Sequence, residues 1–337
     1  MNPVEALREI SFLLERSRAD SYRVRAYRGA AEAISRLTEA ERREHQAEGT
    51  WSKVSGVGPK TAAVISQAMS GQVPEYLERL RAEREALVEG GEAMRAAVKG
   101  DLHCHSDWSD GHSSLEEMVI TARRLGHDYC AITDHSPRLT VARGLSAERL
   151  REQLEVLDNL NSVLAPFRIL RGIEVDILED GGLDQEDALL AELDVVVSSV
   201  HSKLRSDSET MTHRMVGGIA NRRTNILGHC TGRLIQGERG IRPQSVFDPE
   251  VVFEACRSFQ VAVEINSRPE RRDPPTRLLS MAIEMGCLFA IDTDAHAPGQ
   301  LEFLSYGCER AESHGLDPDR VINTWPLDKL LAWCAKS

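Results

Sequence analysis

The sequence predicts an α/β protein: a seven-stranded parallel barrel preceded by a small all-helical domain. Three observations predict it. From residue 99 onward, short β-rich runs alternate with amphipathic helical segments, the pattern of a parallel sheet with crossover helices. Most of those runs end on His, Asp or Glu, and such residues gathered at strand C-terminal ends mark the functional face of a closed barrel. Residues 1–80, in contrast, place their apolar positions at helical spacing.

Taken in order, Val4 to Leu14 and Val24 to Leu37 read as amphipathic helices. Next comes Val54-Ser55-Gly56-Val57-Gly58-Pro59-Lys60-Thr61, two glycines around one apolar residue and then a helix start. Such a hairpin exposes N–H groups and a helix N-terminus that can hold a phosphate, with Lys60 placed to add charge. A plain helix-helix turn uses the same glycines, and Gly56 and Gly58 alone leave both readings open. Nearby, Arg18, Arg23, Arg25 and Arg28 are interleaved with Tyr22 and Tyr27, cations and rings that suit a nucleic-acid strand. Against that stands a solvated helix face balanced by Glu15, Asp20 and Glu32. Residues 81–98 are charged and then glycine-punctuated, a helix end followed by a linker to a domain spanning 99–337.

Strands are expected near 100–105, 128–134, 168–175, 194–200, 225–229, 261–266 and 287–293. Helices are expected between them, for example from Ser114 to Leu125, where Ser114 and Glu117 have capping-box spacing, and from Ser146 to Leu164.

The candidate site residues are His103, His105, Asp110, His135, Glu174, His201, His229, Asp294 and His296. Two histidines at i and i+2 on a strand share a face, so His103 and His105 can grip one ion. Nine nitrogen and oxygen donors exceed what one metal uses, which implies a cluster. Imidazole with carboxylate suits zinc, manganese or iron, and the lack of thiolate disfavours a purely structural zinc. Adjacent divalent ions favour hydrolysis of a phosphate ester. A single histidine after an apolar run is ordinarily a hydrogen-bonded core residue, but more than half of the 11 histidines fall in this series. His45, His112, His127, His213 and His314 lie in polar or helical contexts and keep the ordinary reading.

Composition sets the bounds. With 337 residues and 41% hydrophobic content, the chain can bury one large core and a small one. The absence of a long apolar run and of a signal-like N-terminus reads as a soluble, cytoplasmic protein with no membrane partner. Seven scattered cysteines without a C-x-x-C pair read as small buried hydrophobes. The net charge of −12 excludes a wholly basic nucleic-acid binder, and it falls on the part after residue 90, where bound cations would offset some of the acids.

His103-x-His105, Thr133-Asp134-His135, Gly172-Ile173-Glu174, His201, Gly228-His229 and Asp294-x-His296 resemble the polymerase-and-histidinol-phosphatase (PHP) superfamily. The resemblance implies a distorted (β/α)7 barrel and a trinuclear site of divalent ions, Zn, Mn or Fe. Within it, one ion would take His103, His105 and Asp294, Glu174 would bridge to another on His201 and His229, and a third would take Asp110, His135 and His296. Trp108-Ser109-Asp110-Gly111, Gly228-His229-Cys230-Thr231-Gly232-Arg233-Leu234 and Val263-Glu264-Ile265-Asn266-Ser267 resemble most the C-terminal domain of bacterial family X DNA polymerases. The N-terminal stretch resembles the same polymerases' helix-hairpin-helix domain. Residues 81–98 leave no room for a polymerase palm, so polymerisation is not expected. The helix after the hairpin, Thr61 to Gln67, has no lysine for Schiff-base lyase chemistry.

What the resemblance implies is a metal-dependent phosphoesterase on gapped, nicked or 3′ DNA ends, as 3′–5′ exonuclease, 3′-phosphatase or abasic-site endonuclease. Tyr22, Arg23, Arg25, Tyr27, Arg28, Gly56, Gly58 and Lys60 would meet the DNA. Arg143, Lys203, Arg233 and Arg268 follow strand ends, where each can either clasp phosphate oxygens or serve only as a surface charge or salt-bridge partner. The alternatives are a small-molecule phosphatase of the histidinol-phosphate type and a non-catalytic DNA-binding accessory. The sequence leaves the oligomeric state open.

Overall fold

In the computed structural model the described residues are 1–237 and 240–335, and the chain divides into two compact units, Met1–Ala86 and Leu87–Ser337.

The first unit is helical: α1 (Pro3–Arg16), α2 (Ser21–Ser35), α3 (Glu39–Glu48), α4 (Pro59–Met69) and α5 (Glu75–Ala82). Asn2 caps α1 by accepting from the Val4 N–H at 2.9 Å, and Pro3 follows at a position where no N–H is needed. Leu7, Ile10 and Leu14 then line one stripe of α1 and are buried against Ile34, Ile65 and Leu77. Each such side chain contributes roughly 1.5–3 kcal/mol by leaving water. The hairpin between the 3-10 turn Trp51–Lys53 and α4 turns on Gly56, whose φ of 87° suits glycine, while Val57 plugs the core and Gly58 caps α4.

The second unit opens with α6 (Glu92–Ala97), inside the stretch expected to be linker. Met94 is buried there and its N–H donates to Glu312 at 3.0 Å, so this short helix is part of the barrel unit. Seven parallel strands follow in the order β1 to β7: Gly100–Asp101, Tyr129–Ile132, Arg168–Asp176, Val195–Ser199, Ile226–Leu227, Ala262–Asn266 and Phe289–Asp292. Around them lie α7 (Leu115–Arg124), α8 (Ala147–Leu164), α9 (Asp187–Leu190), α10 (Ser208–Ala220), α11 (Pro249–Ser258), α12 (Thr276–Glu284), α13 (Leu304–Ser313) and α14 (Leu327–Cys334). Ser114 caps α7 by accepting from the Glu117 N–H, and Ser146 caps α8 in the same way through Arg149.

β1 is shorter than the expected 100–105 because carboxylates replace the ladder beyond Asp101. The Leu102 N–H donates to Asp292 Oδ1, and the N–H groups of His103 and Thr293 both donate to Asp101 Oδ1. A bridge between Cys104 and Ala295 then brings the first and last strands together, with the His105 N–H donating to Ala295 O at 2.8 Å. β5 is likewise shorter than 225–229, and just beyond it only glycine fits at 228, where a Cβ would lie 2.2 Å from Ser199 Oγ.

Period-2 alternation makes the interior two-layered. Inward positions at the strand starts, Tyr129, Ala131, Leu170, Val195, Val197, Ile226, Ala262 and Ala290, pack as one apolar cluster with Trp325 and Leu330. The inward positions further along the same strands are Glu174, Asp176, Glu264, Asn266 and Asp292, and Asp294 follows just beyond β7. Every one of these is buried.

Candidate metal centre

The polar layer at the strand C-terminal ends is where the nine sequence-expected donors meet. Glu174, inside β3, is the hub. Its Oε2 lies 3.4 Å from His103 Nε2, 3.6 Å from His105 Nε2 and 2.9 Å from His135 Nδ1. Its Oε1 lies 3.2 Å from His201 Nε2 and 2.8 Å from His229 Nε2. Asp294 Oδ1 stands 3.5 Å from His105 Nε2, and Asp110 Oδ1 is 3.4 Å from His135 Nε2 and 3.3 Å from His296 Nε2.

Three groups among the described residues place their donor atoms within 4.8 Å of one another: His103, His105 and Asp294; His105, Asp110, His135 and His296; and His135, Glu174 and His201. These are spacings at which one cation can be shared by several side chains. The fit is tested by what the buried atoms lack. His103 Nε2, both ring nitrogens of His105, His201 Nε2 and both oxygens of Glu174 are buried without a hydrogen-bond partner. A buried polar atom left unpaired costs about 1–3 kcal/mol, so a convergent set of them calls for a ligand. Cations bound by neutral imidazole and carboxylate answer that call.

Electrostatics points the same way. Burial works to raise the Glu174 carboxyl, but the imidazoles of His201, His103, His135 and His229 outweigh it and hold the group well below the usual carboxylate range. For His201, burial lowers while Glu174 and Asp176 raise, and the ring ends at about 9. His105 is driven down to about 3 by burial and by the neighbouring His296 and His135. Cations seated among these groups would supply the positive charge that protonated imidazoles otherwise provide, so binding would release protons.

Several partners of the donors were missed in the sequence. Glu264 accepts from His103 at Nδ1, 2.5 Å away, and from the backbone N–H of His229. Asp176 lies 2.5 Å from His201 Nδ1. Each carboxylate fixes one ring nitrogen and turns the other to the centre, a recurrent device of metal sites. Asp134 accepts from Ser106, Ser109 and Gln153 and so anchors the loop leading to Asp110. The available signal was period 2: Glu264 and Asp176 are inward positions of expected or adjoining strand residues.

The four expected phosphate-binding cations are placed unequally. Arg268 Nη1 lies 3.1 Å from Asp294 O and 3.0 Å from His296 Nδ1, at the margin of the cluster. Arg233 donates from Nε to Arg271 O at 2.9 Å and from Nη2 to Arg272 O. Arg143 and Lys203 are exposed, and Arg143 Nη1 reaches Asp107 O at 3.5 Å.

In the helical unit two expected DNA contacts are corrected. Tyr27 is 6% exposed and stacked on Tyr76 with ring centroids 5.4 Å apart. Arg28 is 8% exposed and ion-paired with Glu15. Helical periodicity turns both into the core beside Val24, and neither presents its head group to a nucleic acid in this structure. Tyr22, Arg23, Arg25, Gly56, Gly58 and Lys60 are exposed.

Residues 101–245 match the PHP domain and residues 2–73 a helix-hairpin-helix domain. The chain is 39% identical over 240 residues to the DNA polymerase/3′-5′ exonuclease PolX of Bacillus subtilis, a match that covers 71% of this chain and 41% of that protein. It thus spans less than half the length of that relative. A probable phosphatase of Thermoanaerobacter is 28% identical over 240 residues, covering 66% of this chain and 89% of its own length. A solved histidinol phosphate phosphatase from Lactococcus lactis, complexed with zinc, L-histidinol and phosphate, aligns at a TM-score of 0.47 with 18% identity, over 65% of this chain and 94% of its own. The class is that of proteins built on a PHP domain. The chain carries a PHP domain, matched over residues 101–245, and a helix-hairpin-helix domain ahead of it, matched over residues 2–73.

Proposed function

We propose that this chain is a metal-dependent phosphoesterase acting on DNA ends, with the helix-hairpin-helix unit holding the DNA. The observation that carries the hydrolase part is the ring of imidazoles around the two unpaired oxygens of Glu174. His103, His105, Asp110, His135, Glu174, His201, His229, Asp294 and His296 would hold up to three divalent ions. Those ions, when bound, supply Lewis acidity toward phosphoryl oxygens and acidified water. Arg268 would meet a phosphate oxygen at the mouth, and Arg143, Lys203 and Arg233 are candidates for the same task.

The DNA part rests on the helix-hairpin-helix match and on the resemblance to a 3′-5′ exonuclease. The exposed Gly56–Gly58 turn, Lys60 beside the start of α4, and Tyr22 at 75% exposure near Arg25 suit backbone phosphates and an unpaired base. No helix among the described residues is long and apolar enough to cross a membrane.

A second reading, a small-molecule phosphatase, is favoured by the probable phosphatase whose length the chain largely covers. The two separate in one comparison: Mn²⁺-dependent shortening of a 3′-recessed oligonucleotide against phosphate release from histidinol phosphate, in the full chain and in residues 87–337. A DNA enzyme prefers the oligonucleotide and loses most of that rate on truncation. Preference for histidinol phosphate with no truncation effect would establish the second reading. If neither substrate is turned over while the full chain still binds the oligonucleotide, a non-catalytic accessory remains.

A further inference from the structure

Arg271 is absent from the donor set and from the four cations expected at the mouth, yet it is 6% exposed and faces the cluster. Its Nε donates to Asp294 Oδ2 at 3.0 Å, and its Nη1 is buried without a hydrogen-bond partner. Asn266 Nδ2 approaches the same Oδ2 at 3.2 Å and Glu264 Oε2 at 3.1 Å. Asp294 Oδ2 is therefore committed to Arg271 and Asn266, and Oδ1 is the oxygen left to face His105. Asp294 itself has a φ of 51°, a left-handed backbone that non-glycine residues adopt only when their surroundings hold it.

The loop bearing Arg271 is built to keep it there. Arg233 donates to the carbonyls of Arg271 and Arg272, and Arg310 donates to those of Asp273 and Pro274. Asp273 in turn accepts from the Thr231 N–H and hydroxyl. A guanidinium is rigid and permanently charged, so it fixes both the rotation of a carboxylate and the share of negative charge that carboxylate gives to a cation.

We propose that Arg271 is a positioning residue that acts through Asp294: it selects Oδ1 as the metal-facing oxygen and draws charge from it, so that the cation held by His103, His105 and Asp294 is both correctly seated and more electrophilic. This rests on the metal-centre reading above. It assigns Arg271 no contact with substrate.

The test uses the full chain as wild type, Arg271→Gln and Arg271→Lys, purified without chelators. Metal per chain is measured by mass spectrometry, Zn²⁺ affinity by competition with a chromophoric chelator, and kcat and KM with bis-p-nitrophenyl phosphate. Removing such a supporting group typically weakens metal affinity or activity about 10–100-fold. Arg271→Gln is expected to lose up to one ion per chain or that much affinity, with kcat falling and KM changing less than about twofold. Arg271→Lys, which keeps a hydrogen-bond donor for Asp294 Oδ2, is expected to recover part of the affinity. The inference is overturned if Arg271→Gln and Arg271→Lys keep wild-type metal content, affinity and kcat, even with a lowered apo-protein Tm. A rise in KM alone with metal retained overturns it as well, since that marks a substrate contact. A wild-type protein that binds no metal would instead sink the metal-centre reading.

Discussion

Glu264 Oε1 lies 2.5 Å from His103 Nδ1, which leaves Nε2 as the nitrogen that faces Glu174. The pairing joins residues 161 positions apart and fixes the ring from behind.

Replacing that carboxylate should therefore weaken the centre without touching its donors. Glu264→Gln keeps the size but removes the charge that orients His103, and it also weakens the acceptor for the His229 N–H. Metal affinity is expected to fall about 10–100-fold. Isothermal titration of the apo protein with Zn²⁺ checks it, and unchanged affinity would show that His103 is oriented by packing alone.

One side chain from beyond β7 reinforces the closure of the barrel. Asn323 Nδ2 donates to Gly100 O at 3.0 Å and Ile291 O at 2.6 Å, its Oδ1 accepts from the Ile291 N–H at 3.1 Å, and it is fully buried. Asn323→Ala strands these backbone groups and should cost about 2–4 kcal/mol. Urea denaturation of the two proteins measures the difference. A cost below about 1 kcal/mol would mean that the seam closes without it.

Acid should destabilise the barrel unit through His127. Burial, and then the Arg95 cation whose Nη2 lies 3.4 Å from His127 Nε2, hold this imidazole down to about 3. The unfolded chain binds its proton near pH 6.5, so between about 6.5 and 3 the unfolded state takes up a proton that the folded state refuses. The contribution is complete above pH 6.5 and is lost as pH falls. At pH 5 the loss is about 2 kcal/mol. His127→Gln should shrink the difference in stability between pH 7 and pH 5 by that amount, whereas parallel pH profiles for the two proteins would contradict the assignment.

The helical unit separates structural from surface cations. Arg28→Ala removes the ion pair to the buried Glu15, which should cost at least about 1 kcal/mol of that unit's stability. Lys60→Ala, fully on the surface side of the hairpin, should change stability by less than about 0.5 kcal/mol while reducing binding to a 3′-recessed oligonucleotide. Thermal melts with fluorescence anisotropy read both effects. A Lys60→Ala protein that binds DNA as tightly as wild type would remove the hairpin from the interface.

What the sequence by itself determined was carried by local periodicity. Seven strands, their parallel alternation with helices, and the placing of nine candidate donors at or after strand ends were legible because a period of two decides which residues face a barrel's interior. The same rule could have flagged Glu264 and Asp176. The tertiary structure alone decided which nitrogen of each histidine faces the centre, since that depends on a partner from another strand. It also decided that Tyr27 and Arg28 are buried, that residues 92–97 belong to the barrel unit, and that Asn323 closes the seam to Gly100 from 223 positions away. Each of those outcomes is a contact between distant segments, and no spacing along the chain encodes the partner.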